Sequence, residues 1–329
     1  MKAQILKALK EGSEQYISGE ELSNRMGVSR TAIWKYIAAL REEGYDIESS
    51  PRKGYRLISS PEILSAEEIQ AELSTKFFGK EIIYFDTVTS TNTIAKEIAG
   101  KDCQDGTVVI ADQQTGGKGR LGRNWSSPPH TGIWMSIVLR PDILPFQAPF
   151  ITILAALAVA RSIKQVAQIA PKIKWPNDII LNRKKVCGIL TEMSAEIERI
   201  NYIVVGIGIN VNMDAEDFSP EIREMATSIK MVTGQAVQRK VLVRKILENF
   251  EEIYVNANNS NLKNELMDEY RKYSLTLGSR VKVVYKNQEI KGTAVEVTDE
   301  GELIIETDDG VKQKIMSGEV SVRGIYGYV

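Results

Sequence analysis

The 329-residue sequence has few of the residues that build metal clusters, disulfide frameworks or histidine-dependent active sites. It contains two cysteines and one histidine. Cys103 and Cys187 cannot form a disulfide framework, and they lack the spacing of a zinc site. His130 alone excludes clusters of histidine ligands, and it leaves a Ser-His-Asp triad with a single possible base. We assign no role to His130 and a packing role to Cys187, and we predict no metal held by protein ligands.

Long apolar segments and an excess of one sign of charge are also missing. The longest apolar stretch, residues 151–160, ends at Arg161 and is too short to span a bilayer. Residues 1–7 are amphipathic and interrupted by lysines, unlike a secretory signal. The 42 Lys and Arg nearly balance the 43 Asp and Glu, so any nucleic-acid binding must come from a local patch. We therefore expect a cytoplasmic protein that does not bind membranes.

The chain is long enough for two or three domains, and 43% of its residues are apolar. Residues 1–62 have the pattern of short helices followed by a hairpin. Residues 63–272 mix strands and helices, and residues 273–329 contain only short strands and tight turns. This order predicts an α+β multidomain protein with an N-terminal winged helix-turn-helix domain, a central mixed α/β domain and a small C-terminal β-barrel.

The N-terminal region has the order of helix, turn, helix and hairpin that is typical of DNA-binding winged helices. Ser18 and Ser29 are typical N-caps, and Gly27 can end the helix between them in a left-handed turn. Hydroxyl and basic side chains on the following helix and at the hairpin tip would contact DNA: Ser29, Arg30, Thr31, Lys35, Arg52 and Lys53. The alternative is a small domain that packs on the rest of the chain or docks a protein.

Residues 116–125, GGKGRLGRNW, interleave glycines with cations after a predicted strand. Glycine allows a ligand to approach the backbone closely, and consecutive N–H groups can bind an anion. Lys118, Arg120 and Arg123 add positive charge, so the loop suits a phosphate or a carboxylate. It has neither the Walker A nor the Rossmann spacing. The alternatives are a flexible basic surface loop or a second nucleic-acid patch.

Five motifs follow one another along the central region. They are STN at 90–92, Gln114 with the loop at 117–125, KWPND at 174–178, KVCGILTE at 185–192 and GIGIN at 206–210. With the N-terminal domain they resemble the bifunctional biotin–protein ligases that also repress biotin operons, over essentially the whole chain. The resemblance implies a class II synthetase-like biotin/lipoate ligase fold and an SH3-like C-terminal domain. One departure is Lys118, where the family usually has arginine, so the charge is kept without the bidentate fork.

The resemblance implies that biotin reacts with ATP, in the presence of Mg²⁺, to give biotinyl-5′-AMP and pyrophosphate. Biotin then passes to a lysine of a biotin carboxyl carrier protein of acetyl-CoA carboxylase or pyruvate carboxylase. The catalytic residues would be Lys185, Arg120 and Asp178. The biotin-binding residues would be Ser90, Thr91, Asn92, Gln114, Gly117, Lys118, Gly119, Arg120 and Lys185. The ATP- or adenylate-binding residues would be Arg123, Trp125, Asn177, Asn210 and Arg323, and Glu319 could also reach the ATP site from the C-terminal domain.

Several of these residues have structural alternatives. Asp178 could have the purely structural role of capping a turn, Asn210 could cap a strand end, and Trp175 could belong to the core. The two functions on one chain also imply that biotinyl-5′-AMP orders the glycine loop and strengthens a homodimer, which would bind a palindromic operator. Two other functions stay open, a lipoate–protein ligase and a ligand-sensing repressor without ligase activity.

Overall fold

The structure is a computed structural model that describes residues 1–12, 15–285, 288–317 and 321–324. It divides into two compact units, Met1–Ser74 and Thr75–Val329. The described elements of the first unit are α1 (Lys2–Glu11), α2 (Gly19–Met26), α3 (Arg30–Glu42), β1 (Asp46–Ser50), β2 (Gly54–Ser59) and α4 (Ala66–Gln70). Strands β1 and β2 pair antiparallel as a hairpin.

Serine caps and a glycine turn set the geometry of the helix-turn-helix. Ser18 Oγ accepts a hydrogen bond from the N–H of Glu21 at 3.0 Å, and Ser29 Oγ accepts one from the N–H of Ala32 at 3.2 Å. Gly27 ends α2 with φ of +66°, which glycine adopts without steric cost. The apolar faces of α1, α2, α3 and the hairpin form one buried core. The predicted helix-turn-helix with its hairpin is therefore confirmed.

Helix α4 extends the first unit beyond the predicted boundary at residue 62. Glu68 of α4 is fully buried, and its carboxylate pairs with Lys10 of α1 at 2.8 Å. A helix that is buried against α1 in this way belongs to the first unit and not to a linker. The boundary between the two units therefore lies after Ser74.

A seven-stranded sheet in the order β3-β4-β5-β9-β8-β7-β6 is the centre of the second unit. Strands β3 and β4 are parallel, and the other neighbours are antiparallel. This confirms the predicted mixed α/β domain. Its elements are β3 (Ile82–Val88), α5 (Thr91–Ala99), β4 (Val108–Gln114), β5 (Gly132–Leu139), α6 (Ala148–Ala167), β6 (Lys172–Lys174), β7 (Asp178–Leu181), β8 (Lys184–Ala195), β9 (Ile200–Asn210), α7 (Ile229–Thr233), α8 (Arg239–Asn256) and α9 (Ser260–Tyr273).

The segment Pro145–Ala167, which includes α6, is long and apolar enough to cross a membrane by length and composition alone. Most of that segment is buried inside the protein, and the helix packs against α8 and β8. A helix that is apolar all round is typical of a protein core as well as of a membrane span. Its burial here is that of a core helix.

The C-terminal strands form a separate five-stranded antiparallel sheet in the order β13-β12-β11-β10-β14. Trp175, which is 2% exposed, ties this sheet to the central domain. Its indole Nε1 donates to the carbonyl of Gly301 at 2.9 Å, and its backbone N–H donates to Thr276 Oγ1 at 2.9 Å. The strands are β10 (Arg280–Tyr285), β11 (Gln288–Val297), β12 (Leu303–Thr307), β13 (Lys312–Ile315) and β14 (Ser321–Gly324).

One buried carboxylate fixes the start of the second unit. Glu251 of α8 accepts hydrogen bonds from the backbone N–H groups of Lys76, Phe77 and Phe78 at 2.5, 2.7 and 2.8 Å. We expect Glu251→Ala to lower the free energy of unfolding by about 3 kcal/mol, because three N–H groups lose a charged acceptor at once. Urea denaturation measures this loss.

The neighbouring Glu252 supplies the matched control. Its side chain is 58% exposed and pairs with Arg161 at 3.1 Å, and a surface ion pair of this kind contributes less than about 1 kcal/mol. Glu252→Ala should therefore have a much smaller effect than Glu251→Ala. Equal losses in the two variants would show that the contacts with residues 76–78 do not stabilise the fold.

Candidate active site

A cavity of about 970 Å³ opens over β8 and β9 of the central sheet. The start of α5, the end of β4, the glycine loop and the turn before β7 supply its walls. All five sequence motifs therefore meet at one place. The predicted ligand-binding and catalytic residues that line it are Ser90, Thr91, Asn92, Gln114, Lys118, Gly119, Arg120, Arg123, Trp125, Asn177, Asp178, Lys185 and Asn210.

Glycines of β8 and β9 form part of the cavity floor where the two strands pair. A Cβ atom on Gly206 would lie 2.1 Å from Asn92 Oδ1, and one on Gly208 would lie 2.6 Å from Trp125 Nε1. Both distances are far below van der Waals contact. Glycine at these two positions lets Asn92 and Trp125 lie directly against β9, and a larger residue would force them to shift.

One end of the cavity carries charged groups. Lys185 Nζ lies 2.6 Å from Asp178 Oδ1 and 5.3 Å from the ring centroid of Trp125. Arg120 Nη1 donates to Asn177 Oδ1 at 2.9 Å. Burial lowers the pKa of Arg120 and the charge of Asp178 opposes that shift, yet a guanidinium stays protonated in proteins. Two cations therefore face the cavity here, and an anionic ligand is the group that they suit.

The other end of the cavity is lined by amide and hydroxyl side chains. Gln114 Oε1 accepts from the backbone N–H of Thr91 at 2.8 Å, and Gln114 Nε2 donates to Ser127 Oγ at 2.8 Å. Ser136 Oγ lies 2.8 Å from Thr91 Oγ1 and 2.6 Å from Asn92 Oδ1. Amides and hydroxyls in a network of this kind suit a neutral ligand group that has both donors and acceptors.

The glycine loop folds back on itself as a hairpin. Lys118 pairs with Asn124, the N–H of Gly119 donates to the carbonyl of Arg123 at 2.7 Å, and the N–H of Trp125 donates to that of Gly117 at 2.9 Å. Gly117 is not among the described residues that line the cavity. A Cβ atom there would lie 2.4 Å from the carbonyl oxygen of Trp125. Gly117 therefore shapes the loop from behind.

Three asparagines that were predicted to bind ligands are held by the protein itself. Asn92 Nδ2 donates to the carbonyl of Leu190 and to Glu192. Asn177 Nδ2 donates to the carbonyl of Ile189 at 2.9 Å, and Asn210 Nδ2 donates to that of Thr227 at 3.1 Å. These contacts make the asparagines positioning residues for the cavity wall, and any direct contact of theirs with a ligand stays a prediction.

Sequence reasoning missed an apolar wall that the irregular segment between β9 and α7 supplies. Two lysines of the C-terminal sheet, Lys282 and Lys291, also line the cavity and were missed. Large apolar residues in a segment without helix or strand periodicity were the available signal for the wall. Its cavity-lining residues are Met213, Phe218, Ile222, Met225 and Ala226.

Arg323 was predicted to reach the nucleotide from the C-terminal domain. It lies in β14, but its side chain is outside the part of the chain that the structure describes. Glu319 lies wholly outside the described residues. Their roles therefore stay predictions.

The predicted DNA-binding residues are on the surface of the first unit. Ser29, Arg30, Thr31 and Lys35 are exposed at the start and on the outer face of α3, and Arg52 and Lys53 are exposed at the hairpin tip. Arg30 pairs with Glu20. Sequence reasoning missed Trp34, which is 59% exposed and lies one helical turn beyond Arg30. Its position between two basic residues on an otherwise polar face was the signal.

Three family models match the chain in the order of its domains. They are an HTH domain at residues 2–56, the biotin/lipoate A/B protein ligase family at 84–210 and a biotin protein ligase C-terminal domain at 276–323. The bifunctional ligase/repressor BirA of Bacillus subtilis is 40% identical over 98% of both chains. The chain belongs to the bifunctional biotin ligase/repressor family. The Escherichia coli member is 29% identical over 94% of both chains.

A solved structure supports the same family for the ligase part of the chain. The biotin protein ligase from Aquifex aeolicus in complex with biotin and ATP is 32% identical to this chain and superposes with a TM-score of 0.65. The match covers 74% of this chain and 99% of the Aquifex chain. The bifunctional biotin ligase/repressor family therefore explains both the central fold and the added N-terminal unit.

Proposed function

We propose that the chain joins biotin to ATP, forming biotinyl-5′-AMP and pyrophosphate, and then transfers biotin to a lysine of a carrier protein. The observation that carries this proposal is the cavity with two unlike ends. Arg120 and Lys185 suit a carboxylate and a phosphate at one end, and Thr91 and Gln114 suit a ureido ring at the other. One ligand that spans both ends needs an acid group and a neutral polar ring, and biotin has both.

In the first step the biotin carboxylate oxygen attacks the α-phosphorus of ATP, and pyrophosphate leaves. Both reactants are anionic, so the site must offset their repulsion and the charge that develops on the phosphate oxygens. Lys185 would bridge the carboxylate and the α-phosphate, and Arg120 would bind the phosphate oxygens. The exposed side chains of Lys118 and Arg123 on the glycine loop would bind further anionic groups, and Trp125 would cover the adenylate.

In the second step a carrier lysine attacks the acyl carbon, the bond to phosphate breaks and AMP leaves. The amine must lose a proton, and Asp178 is the one carboxylate among the described residues that line the cavity. Asp178 would orient the amine or accept its proton. A closed glycine loop would shield the mixed anhydride from water until the carrier arrives.

Mg²⁺ fits this site as a companion of ATP. The described residues contain no group of three or more His, Cys, Asp or Glu side chains that could hold a metal ion. Mg²⁺ is commonly bound by one or two carboxylates together with substrate phosphates, and Asp178 could be that carboxylate. The ion would neutralise phosphate charge when it is bound.

The experiment that tests this function is exchange of labelled pyrophosphate into ATP by the purified chain, with biotin or lipoate as the acid. Exchange with biotin alone would support the proposal, and exchange with lipoate would favour a lipoate–protein ligase. Folded protein that exchanges with neither acid would contradict the ligase function and favour a ligand-sensing repressor. Addition of a biotin carboxyl carrier domain of acetyl-CoA carboxylase or pyruvate carboxylase would then test the transfer.

For repression we propose that biotinyl-5′-AMP strengthens a homodimer in the cytoplasm and that the two winged helices bind a palindromic operator. The family membership and the exposed surface of α3 support this proposal. A ligand shifts an assembly equilibrium only if it binds the two states unequally. Sedimentation should therefore show a tighter dimer with biotinyl-5′-AMP, and an unchanged equilibrium would contradict the corepressor role.

The hairpin tip gives a separate prediction for DNA binding. Replacing Arg52 and Lys53 together by glutamine should weaken binding to operator and unrelated duplexes alike, because phosphate contacts carry little sequence information. The slope of log affinity against log salt should fall in magnitude by about 2, close to one for each phosphate that is no longer neutralised. Lys7→Gln on α1 should leave the slope unchanged. If binding to the operator weakened while binding to unrelated duplexes did not, the hairpin tip would instead contact bases.

A further inference from the structure

A row of hydrogen bonds leads away from the cavity behind Thr91 and ends on Glu192. Glu192 is not among the described residues that line the cavity. Its Oε2 accepts from Asn92 Nδ2 at 2.8 Å, and its Oε1 accepts from Lys96 Nζ at 2.7 Å. Burial by itself would raise the pKa of Glu192, but the hydrogen bonds from Lys96 and Asn92, together with the charges of Lys96 and Lys118, hold it below its ordinary value. The group is therefore an ionised carboxylate, which accepts hydrogen bonds and cannot donate them.

The acceptor character of Glu192 fixes the orientation of the Asn92 amide. Asn92 Nδ2 faces both Glu192 and the carbonyl of Leu190, which lies 3.2 Å away, and both of these partners need a donor. Asn92 Oδ1 therefore faces Ser136 Oγ at 2.6 Å. Because an amide oxygen cannot donate, Ser136 must give its one hydroxyl proton to Asn92.

The direction of hydrogen-bond donation, towards Glu192, continues at Thr91, whose hydroxyl contacts Ser136. Ser136 Oγ and Thr91 Oγ1 are 2.8 Å apart, and either hydroxyl could donate across that contact. The Ser136 proton already lies in the shorter contact with Asn92, so Thr91 donates to Ser136. Thr91 is then left with lone pairs alone for any ligand in the cavity.

A second acceptor lies beside the Thr91 hydroxyl. Gln114 Oε1 accepts from the backbone N–H of Thr91 while Gln114 Nε2 donates to Ser127, and together these contacts fix the Gln114 amide. The Thr91 hydroxyl could also donate to Gln114 Oε1, but that contact is 3.2 Å long against 2.8 Å for the contact with Ser136, so the shorter one takes the proton. With the Thr91 proton on Ser136, Thr91 Oγ1 and Gln114 Oε1 are two neighbouring acceptors, and a single donor between them would satisfy both.

We propose that Glu192 is a positioning residue for biotin. Acting through Asn92 and Ser136, it makes the Thr91 hydroxyl an acceptor, so that Thr91 and Gln114 together bind one ring N–H of the ureido group. The inference rests on the proposed function, since it takes biotin as the ligand. Glu192 would not contact biotin itself. It would act by fixing which group donates and which accepts in each hydrogen bond from Asn92 to Thr91.

Glu192→Gln tests this inference because an amide has one acceptor oxygen where the carboxylate has two. The Lys96 ammonium would attract that oxygen and leave the glutamine NH₂ group facing Asn92 Nδ2, donor against donor. We expect the KM for biotin in pyrophosphate exchange to rise about tenfold, with kcat nearly unchanged. Circular dichroism would verify that the variant is folded.

Lys96 makes the test specific. Lys96→Met alone should leave the KM for biotin unchanged, because Glu192 still accepts from Asn92. The double variant with Lys96→Met and Glu192→Gln should regain most of the lost affinity, because the glutamine oxygen can then face Asn92. Glu196→Gln, in the exposed turn between β8 and β9, should have no effect. A normal KM for Glu192→Gln, or no recovery in the double variant, would overturn the proposal.

A second measurement uses the unaltered chain. Biotin methylated on one ureido nitrogen lacks one N–H donor, and two such isomers exist. The isomer that turns its methyl group to Thr91 and Gln114 should bind at least about a hundredfold more weakly than biotin. Equal binding of both isomers and biotin would overturn the acceptor pair. If biotin itself supported no exchange, the proposed function would fail, and that result is distinct from either failure of the inference.

Discussion

Replacing Lys185 by glutamine should reduce biotin-dependent pyrophosphate exchange by about a thousandfold. Lys185 Nζ is held in place by Asp178 and lies against the Trp125 ring, so its charge is fixed before the reactants meet. A fixed charge aimed at a developing anion lowers the barrier more than a mobile one, and removing one such donor costs about 10²–10³ in rate. Glutamine keeps a polar side chain, one atom shorter than lysine, but lacks the charge. Initial rates at saturating biotin and ATP measure the loss.

The adjacent lysine provides the control for this experiment. Lys184 lies 3.7 Å from Glu224 at the surface and is not among the described residues that line the cavity. Lys184→Gln should therefore keep nearly full exchange activity. If both variants kept it, Lys185 would have no catalytic role.

A methyl group on the cavity floor should weaken biotin binding strongly. In Gly206→Ala the new Cβ would lie 2.1 Å from Asn92 Oδ1, and Asn92 has nowhere to go without breaking its contacts with Ser136 and Glu192. Overpacking of this kind typically costs about 1–3 kcal/mol, and here the cost falls on the polar end of the cavity. We expect the dissociation constant for biotin, measured by calorimetry, to rise by up to about a hundredfold.

Gly100 at the end of α5 provides the matched control for this change. A Cβ atom there would lie 3.5 Å from its nearest neighbour, the carbonyl oxygen of Lys96, which is ordinary contact. Gly100→Ala should bind biotin as the unaltered chain does. Tight binding by folded Gly206→Ala would show that the floor has room that the structure does not suggest.

Much of this site could be predicted from the sequence because its residues occur in short contiguous motifs. Lys118, Arg120 and Arg123 share one glycine loop, and Asn177 and Asp178 follow one strand. Because such residues are close together in the sequence, their spacing alone indicates that they share one site. The winged helix was likewise visible in local signals, since serine caps and a glycine turn depend on neighbours in the chain.

What the sequence could not supply depends on contacts between distant segments. Glu192 reaches Asn92 across about a hundred positions, and the direction of that hydrogen-bond row exists only once the sheet has formed. The apolar wall around Phe218 has no periodicity, because an irregular segment buries side chains wherever its path allows. The domain boundary at residue 62 stays a prediction, whereas the compact unit extends to Ser74, because α4 is short and only its packing on α1 assigns it to the first unit.

The two hydrogen bonds that Trp175 makes to the C-terminal segment limit where related chains can be recombined. Its indole and backbone bind the C-terminal segment at Gly301 and Thr276, while the next three residues in the chain line the cavity. A chimera joined between α9 and β10 would have to match both partners of Trp175 to keep Asn177 and Asp178 in register. A chimera joined after Ser74 leaves this arrangement intact. We therefore expect the N-terminal helix-turn-helix unit to be exchanged between related proteins more easily than the C-terminal sheet.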